Sequence, residues 1–276
     1  MNRIELLGAS GVGKTTLYQR LDALAPKQRP YMTLREAYRL AALSRDVSPR
    51  NGRLFLYQLL LKSGIAQRKE RGLGCIVLKA LAQGTDRRHR YNQFQVSFNI
   101  LYQSLQDSEG PYFTERSIQR FLSSVEEYLL LEESLPGQAT VLVDEGMLHR
   151  HPGITNYARE TFSEQQLLAD PALNPAGIVH CVQTPENVTR QAQKRKADSV
   201  QTFTHGPLDS IELKELVHRN IANVDRRVAR FRAMGVPVLV VNTGDDSREI
   251  FSDIGEFILS LKAKASTSLG SPETVN

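Results

Sequence analysis

The chain has little of what secreted proteins and membrane proteins depend on. Its 276 residues include only two cysteines, Cys75 and Cys181, which lie far apart and near no other metal-ligating residues. A disulfide framework or a zinc site needs more cysteines, so the sequence favours a reducing compartment. No run approaches the ~18 apolar residues of a membrane span. The first apolar run stops at Leu7 and enters a glycine-rich segment, unlike a signal peptide. We therefore expect a soluble, cytoplasmic protein with no membrane partner.

The chain also lacks internal repeats and low-complexity linkers that would divide it. We expect one domain over residues 1–262 and a disordered tail over 263–276, which is small, polar and aperiodic. Charged residues make up 24% and hydrophobic residues 41%, which is ordinary globular usage. The net charge of +5 and the pI near 9.2 favour phosphorylated or polyanionic partners.

The segment Gly8–Thr15 carries the most specific pattern in the sequence. It reads Gly-Ala-Ser-Gly-Val-Gly-Lys-Thr and matches G-x-x-x-x-G-K-[ST] in full. Its glycines let successive backbone N–H groups point at phosphates, and the following helix N-terminus adds partial positive charge. Lys14 can reach the β- and γ-phosphates, and the Thr15 hydroxyl can ligate Mg²⁺. The predicted nucleotide-binding residues are Gly8, Ala9, Ser10, Gly11, Val12, Gly13, Lys14, Thr15 and Thr16.

The remaining pattern predicts an α/β fold of the P-loop NTPase type. Apolar or β-branched runs predict four strands, at 4–7, 139–143, 177–182 and 237–241. Helical patterns separate the strands, so we expect a parallel sheet with helices on both faces. Residues 34–134 are almost entirely helical in pattern, which predicts a large helical insert.

Two acidic residues end the second predicted strand. Val141-Leu142-Val143 is followed by Asp144 and Glu145, and ligands of open α/β sheets bind at the carboxyl ends of the strands. Asp144 is a candidate ligand for Mg²⁺. Either Asp144 or Glu145 could accept the proton from an attacking hydroxyl, and the sequence does not decide between them.

A basic segment follows the third predicted strand. Arg190 and Lys194 are four residues apart on one helix face, with Arg195 beside them. Cations on an element that closes over the site could neutralise the charge that spreads over a transferring phosphoryl group. We predict a lid over about 185–200, with a solvated basic helix as the alternative.

Together these features resemble the thymidylate kinase and deoxynucleoside kinase group. They are the phosphate loop, the helical insert, the Val-Asp-Glu-Gly strand end, the basic lid and a last strand followed by Asn242-Thr243-Gly244. That group typically has Asp-Arg or Glu-Arg where this chain has Asp144-Glu145. The layout is also similar to phage kinases that phosphorylate 5-hydroxymethyluracil in DNA during thymine hypermodification. The resemblance implies an ATP- and Mg²⁺-dependent kinase acting on a nucleotide-type acceptor, in the host cytoplasm if phage-encoded.

Basic clusters bear on whether that acceptor is modified double-stranded DNA. They lie at 68–71, at 87–91 and at Arg226, Arg227, Arg230 and Arg232. Such clusters could follow a phosphate backbone, and Tyr91 could stack on an exposed base. Each cluster is equally well explained as a solvated helix face. Arg150, in the loop after the acidic strand end, is a further candidate for contacting the acceptor.

The sequence leaves the following functions open. A kinase for the DNA base is narrowly favoured, and a deoxynucleoside or nucleoside monophosphate kinase is the alternative. A P-loop ATPase that drives a partner is also possible, because a glutamate at the position of Glu145 can orient attacking water. The absence of an Asn-Lys-x-Asp sequence and the position of the basic lid favour the kinase.

Overall fold

The computed structural model describes residues 1–63, 69–82, 88–106, 111–151, 162–197 and 208–268. Within these ranges the chain forms a five-stranded parallel sheet flanked by helices, with strand order β2-β3-β1-β4-β5. The strands are β1 (Asn2–Leu7), β2 (Met32–Thr33), β3 (Thr140–Val143), β4 (Gly177–Val182) and β5 (Val238–Asn242). The predicted α/β class and all four predicted strands are confirmed.

Most helices of the first half of the chain come between β2 and β3 in the order of the sequence. They are α1 (Lys14–Ala23), α2 (Leu34–Leu43), α3 (Gly52–Ser63), α4 (Glu70–Leu81), α5 (Arg88–Tyr91), α6 (Gln95–Gln106) and α7 (Pro111–Ser134). The second half contributes α8 (Met147–Arg150), α9 (Glu164–Ala169), α10 (Pro185–Ala197), α11 (Ser210–Ala233) and α12 (Ser247–Ser268). The helical insert begins with α2 and ends with α7, at the predicted boundaries of 34 and 134.

The chain divides into two compact units. The first contains Met1–Glu5 and Tyr31–Pro175, and the second contains Leu6–Pro30 and Ala176–Asn276. The helical insert therefore does not form a unit by itself. It shares the first unit with β2 and β3, because α2 packs against both of these strands.

The first unit is held together by an apolar cluster among helices of the insert and the residues after β3. The buried members are Phe94, Leu101, Leu105, Phe121, Val125, Leu129, Met147 and Ala172. The start of α2 is fixed by Thr33 and Glu36, since the Thr33 backbone N–H donates to Glu36 Oε2 at 3.0 Å. Close packing of α2 on α4 depends on Gly74, where a Cβ atom would lie 2.7 Å from the Tyr38 carbonyl oxygen.

The second unit contains the loop that follows β1, together with β4, β5 and four helices. Parallel pairing runs from Ile178 opposite Val238 to Val182 opposite Asn242. The start of α11 is capped by Asp209, whose Oδ1 accepts from the backbone N–H groups of Ile211 and Glu212, each at 2.8 Å.

The structure differs from the sequence-based expectation at two places. Strand β2 was not predicted, because two residues are too short to show a periodicity. Residues 263–268 were expected in the disordered tail but extend α12, since alanine and lysine favour helix continuation. The rest of the predicted tail lies outside the described residues. No helix in the described part of the chain is both long and apolar enough to cross a membrane.

Candidate active site

The loop Gly8–Thr15 has the conformation that its three glycines allow. Gly11 and Gly13 have φ angles of +92° and +98°, in the left-handed region that side chains rarely adopt. At Gly8 the constraint is space, because a Cβ atom would lie 2.6 Å from the Cys181 carbonyl oxygen and 2.9 Å from Val12 Cγ1. This tight turn is therefore available only to glycine at these positions.

Lys14 begins α1 and lies across this loop. Its side chain is buried, and its Nζ donates to the carbonyl oxygens of Gly8 at 2.6 Å and Ala9 at 3.0 Å. These carbonyls hold the ammonium group inside the turn, where phosphate oxygens could take their place as acceptors. Thr15 and Thr16 are exposed on the first turn of α1, so their hydroxyls are accessible to a ligand. Ser10 is partly exposed at the tip of the loop.

Thr243, which directly follows β5, fastens the loop to the sheet. Its Oγ1 lies 2.5 Å from the Val12 carbonyl oxygen and 3.4 Å from that of Val182. Its backbone N–H donates to the Val182 carbonyl oxygen at 3.0 Å. Sequence reasoning used Asn242-Thr243-Gly244 only as part of a family resemblance and missed this contact. A hydroxyl residue directly after a strand of this sheet was the available signal.

A cavity of about 370 Å³ lies beside the loop, inside the second unit. It is lined by Gly11, Val12, Gly13, Thr16, Leu17, Arg20, Gln183, Asn187, Arg190, Gln191, Arg195, Thr243, Ser247 and Ile250. The structure thus brings Arg190 and Arg195 of the predicted lid to the same cavity as the glycines of the loop. Lys194 is exposed and is not among these lining residues, so the cavity gives its predicted role no support.

The electrostatics of the cavity favour an anionic ligand. Three arginines line it, and no carboxylate belongs to its described lining. Arg20 Nη1 donates to Ser247 Oγ at 2.8 Å, and Arg190 Nη2 donates to Asn187 Oδ1. Val12, Leu17 and Ile250 are buried and form an apolar part of the wall. Such a combination suits a flat apolar ring that carries phosphate groups.

Asp144 and Glu145 belong to the first unit, where they follow the end of β3. The register pairs Glu5 of β1 with Val143, so both acids lie one or two residues beyond the last paired position. Asp144 is partly exposed and Glu145 is exposed. Their place at the carboxyl end of a parallel strand agrees with the prediction.

Glu5 organises the segment after these two acids. Its carboxylate is fully buried; Oε2 accepts from the Leu148 backbone N–H at 3.0 Å, and Oε1 lies 2.8 Å from Arg3 Nε. A Cβ atom at Gly146 would lie 2.3 Å from the Glu5 carboxyl carbon, so glycine is required there. Burial raises the pKa of Glu5, while Arg3 and the backbone donors at the start of α8 act in the opposite direction.

A second buried group continues this polar network in the first unit. Arg3 Nη2 donates to the Ala172 carbonyl oxygen at 3.0 Å. Asp170 accepts from the Ser97 backbone N–H at 2.8 Å and from Ser97 Oγ at 2.5 Å, and burial raises its pKa. His151 Nε2 lies 2.8 Å from the Ser97 carbonyl oxygen. Sequence reasoning missed the Arg3–Glu5 pair, although two charged residues inside an apolar strand were a usable signal.

Two of the predicted DNA-binding cations of the insert are paired with acids on α7. Arg90 pairs with Glu132 at 2.5 Å and with Glu133 at 2.8 Å, and Arg71 lies 3.5 Å from Glu127. Tyr91, predicted to stack on a base, packs against the apolar cluster of the first unit instead. Arg68 and Arg87 lie outside the described residues.

The remaining basic residues have individual surroundings. Arg226 is exposed and donates to Asn223 Oδ1 at 2.5 Å. Burial lowers the pKa of Arg227 to about 10. Arg230 is partly exposed and Arg232 is exposed. Arg150 Nη1 donates to Ser124 Oγ at 3.1 Å, so this candidate acceptor contact is held by α7.

Within the described ranges, no group of three or more His, Cys, Asp or Glu side chains could hold a metal ion.

No protein-family model and no curated protein matches the chain.

Proposed function

We propose that the protein is an ATP-dependent phosphotransferase that moves the γ-phosphate to a hydroxyl of a nucleotide-type acceptor. The observation that carries this proposal is the shared cavity of the glycine loop and α10. The glycines of the loop line this cavity together with Arg190 and Arg195. A loop without the arginines would fit any P-loop protein, whereas guanidinium groups beside it can neutralise a transferring phosphoryl group.

Each residue of the loop has a role in this proposal. The backbone N–H groups of Gly8–Thr15 hold the phosphates, and Lys14 exchanges its bonds to Gly8 and Ala9 for phosphate oxygens. Magnesium bound with the nucleotide would supply positive charge beside the phosphates. Thr15, which is exposed on the first turn of α1, is a residue that would hold it.

The acceptor hydroxyl needs a base, for which Asp144 and Glu145 remain the candidates. The network of Arg3 and Glu5 fixes the start of α8 three residues further on. It thereby limits the positions that both acids can take, without favouring one of them.

The surroundings of the basic clusters bear on the identity of the acceptor. The net charge of +5 and the family resemblance narrowly favour modified DNA. The pairing of Arg71 and Arg90 with glutamates on α7 offsets the charge of two cations that would follow a DNA backbone. This observation favours the alternative acceptor, a deoxynucleoside or nucleoside monophosphate.

The proposal is tested by following labelled γ-phosphate from ATP to a set of acceptors. The set contains deoxynucleosides, their monophosphates, plain duplex DNA and duplex DNA with 5-hydroxymethyluracil. We expect label in one class of acceptor. Lys14→Ala should reduce transfer by at least about 100-fold, because a charge that stabilises the transition state is lost. Lys27→Ala, which removes an exposed lysine outside the loop, is the matched control and should transfer normally.

The outcomes separate the candidate functions. Label only in modified DNA would identify a DNA-base kinase, and label in a nucleoside or nucleotide would identify a kinase for small acceptors. Release of phosphate to water with no labelled acceptor would contradict the phosphotransferase and support the ATPase. Normal transfer by Lys14→Ala would contradict any function that depends on the phosphate loop.

A further inference from the structure

The side chains at one end of the cavity have orientations that their hydrogen bonds determine. Gln183 Oε1 accepts from the Thr184 backbone N–H at 3.0 Å and from Asn187 Nδ2 at 3.1 Å. A backbone N–H can only donate, so the Gln183 atom facing it must be the oxygen. Asn187 Oδ1 in turn accepts from Arg190, which also can only donate. Both amides are therefore assigned without ambiguity.

This assignment leaves the Gln183 amide nitrogen as the group available to a ligand. Its oxygen already has two donors, whereas its Nε2 bonds to no residue in the described part of the chain. Gly244 makes room for this nitrogen, because a Cβ atom there would lie 2.7 Å from Gln183 Nε2. The chain thus keeps open a position for an N–H donor beside the cavity.

The charged side chains of the described lining also present donors, and no carboxylate is among them. Arg20, Arg190 and Arg195 each contribute a guanidinium group, which donates only. Adenine presents the ring-nitrogen acceptor N1 beside its N6 amino donor, whereas guanine presents N–H donors at N1 and N2 beside its O6 acceptor. A guanine N1–H that faced Gln183 Nε2 would meet a second donor and would lose its bond to water without replacement.

We propose that Gln183 selects the base of the bound nucleotide, donating from Nε2 to an acceptor atom of adenine and disfavouring guanine. This inference rests on the proposed function only in taking the cavity as the site of the nucleotide base. Gly244 is the residue that lets the amide take this position. Gln183 is a specificity-determining residue and takes no part in phosphoryl transfer.

The decisive variant is Gln183→Glu. It keeps the shape and the oxygen that accepts from Thr184 and Asn187, and it replaces the donor by an acceptor. Affinities for ATP and GTP would be measured by calorimetry in the presence of Mg²⁺. We expect the wild type to prefer ATP, and Gln183→Glu to lower the ratio of ATP to GTP affinity by at least about tenfold, since one hydrogen bond is exchanged. Gln191→Glu is the matched control, because it adds the same charge elsewhere in the same lining.

Gly244→Ala is a second test, independent of Gln183→Glu. Its methyl group should displace the Gln183 amide and weaken ATP binding several-fold. In a Gln183→Leu background, where no amide remains, the same substitution should have little further effect. If Gly244→Ala and Gln183→Leu weakened ATP binding by independent, additive amounts, the role assigned to Gly244 would be overturned.

The remaining outcomes distinguish this inference from the proposed function. An unchanged ATP to GTP ratio in Gln183→Glu, or an equal change in Gln191→Glu, would overturn the base-selecting role while leaving phosphotransfer intact. A wild-type protein that binds neither nucleotide would contradict the proposed function itself. Thermal melting of each variant shows whether it is folded, and Gln183→Leu offers a second substitution if Gln183→Glu is not.

Discussion

At the scale of single residues, the phosphate loop depends on glycine for two different reasons. Gly11 and Gly13 adopt a backbone conformation that side chains resist, whereas Gly8 lies too close to β4 to carry any side chain. Both constraints come from the position of the loop against β4, β5 and α10. They are independent of whether a nucleotide is bound.

Gly8→Ala should therefore damage both stability and nucleotide binding. The added methyl group would lie 2.6 Å from a backbone oxygen that cannot move freely, and overpacking of this kind costs about 1–3 kcal/mol. Urea unfolding and calorimetry with ATP measure the two effects. Gly255→Ala is the control, because a Cβ atom there meets nothing within 4 Å in α12. It should stabilise the protein by roughly 0.5–1 kcal/mol. Equal stabilities of the two variants would contradict the close approach at Gly8.

The buried pair Arg3–Glu5 makes a second prediction at this scale. Glu5→Gln removes the charge opposite Arg3, which is only 4% exposed, and should destabilise the protein by about 3–5 kcal/mol. Replacing both residues, as in Arg3→Met with Glu5→Gln, should recover part of this loss because no buried charge is left alone. Urea unfolding measures both variants, and Glu215→Gln on the exposed face of α11 serves as the control. A loss below about 1 kcal/mol, as for an exposed ion pair, would show that the pair is not buried.

At the scale of secondary-structure elements, the insert is built on the contact of α2 with α4. Its closest point is Gly74, where α4 approaches the backbone of Tyr38. Gly72 lies two residues earlier in the same helix, and a Cβ atom there meets nothing within 4 Å. The two glycines have nearly the same sequence context, but a side chain would clash only at Gly74.

Alanine at these two positions should therefore have opposite effects. Gly74→Ala should separate α2 from α4 and lower the free energy of unfolding by about 1–3 kcal/mol. Gly72→Ala should raise it by roughly 0.5–1 kcal/mol, because alanine favours helix. Urea unfolding followed by circular dichroism measures both. Stabilisation by both substitutions would mean that α2 and α4 do not pack as described.

At the scale of the whole molecule, the loop Gly8–Thr15 and α10 belong to the second unit. Asp144 and Glu145, the candidates for the general base, belong to the first unit. A nucleotide that binds the folded loop must stabilise it through mass action. ATP with Mg²⁺ at 100 times its dissociation constant should add about 2.7 kcal/mol to the free energy of unfolding. Urea unfolding with and without nucleotide measures the shift, and Lys14→Ala should show less of it. No shift at saturating ATP would contradict nucleotide binding.

The sequence by itself determined four of the five strands of the sheet, the bounds of the insert and the loop Gly8–Thr15. These features depend on local periodicity and on a motif whose residues are consecutive, so neighbouring positions carry the information. It could not locate β2, which is too short, or the end of α12, where small residues read equally as tail and as helix.

Only the tertiary structure decided which distant residues meet. Thr243 at the loop, Gln183 in the cavity, Glu5 at the start of α8, and the acids of α7 opposite cations of the insert are all brought together by packing. Their partners lie tens to hundreds of positions away along the chain. No periodicity or spacing encodes such contacts, because they depend on how strands and helices are arranged after each has formed.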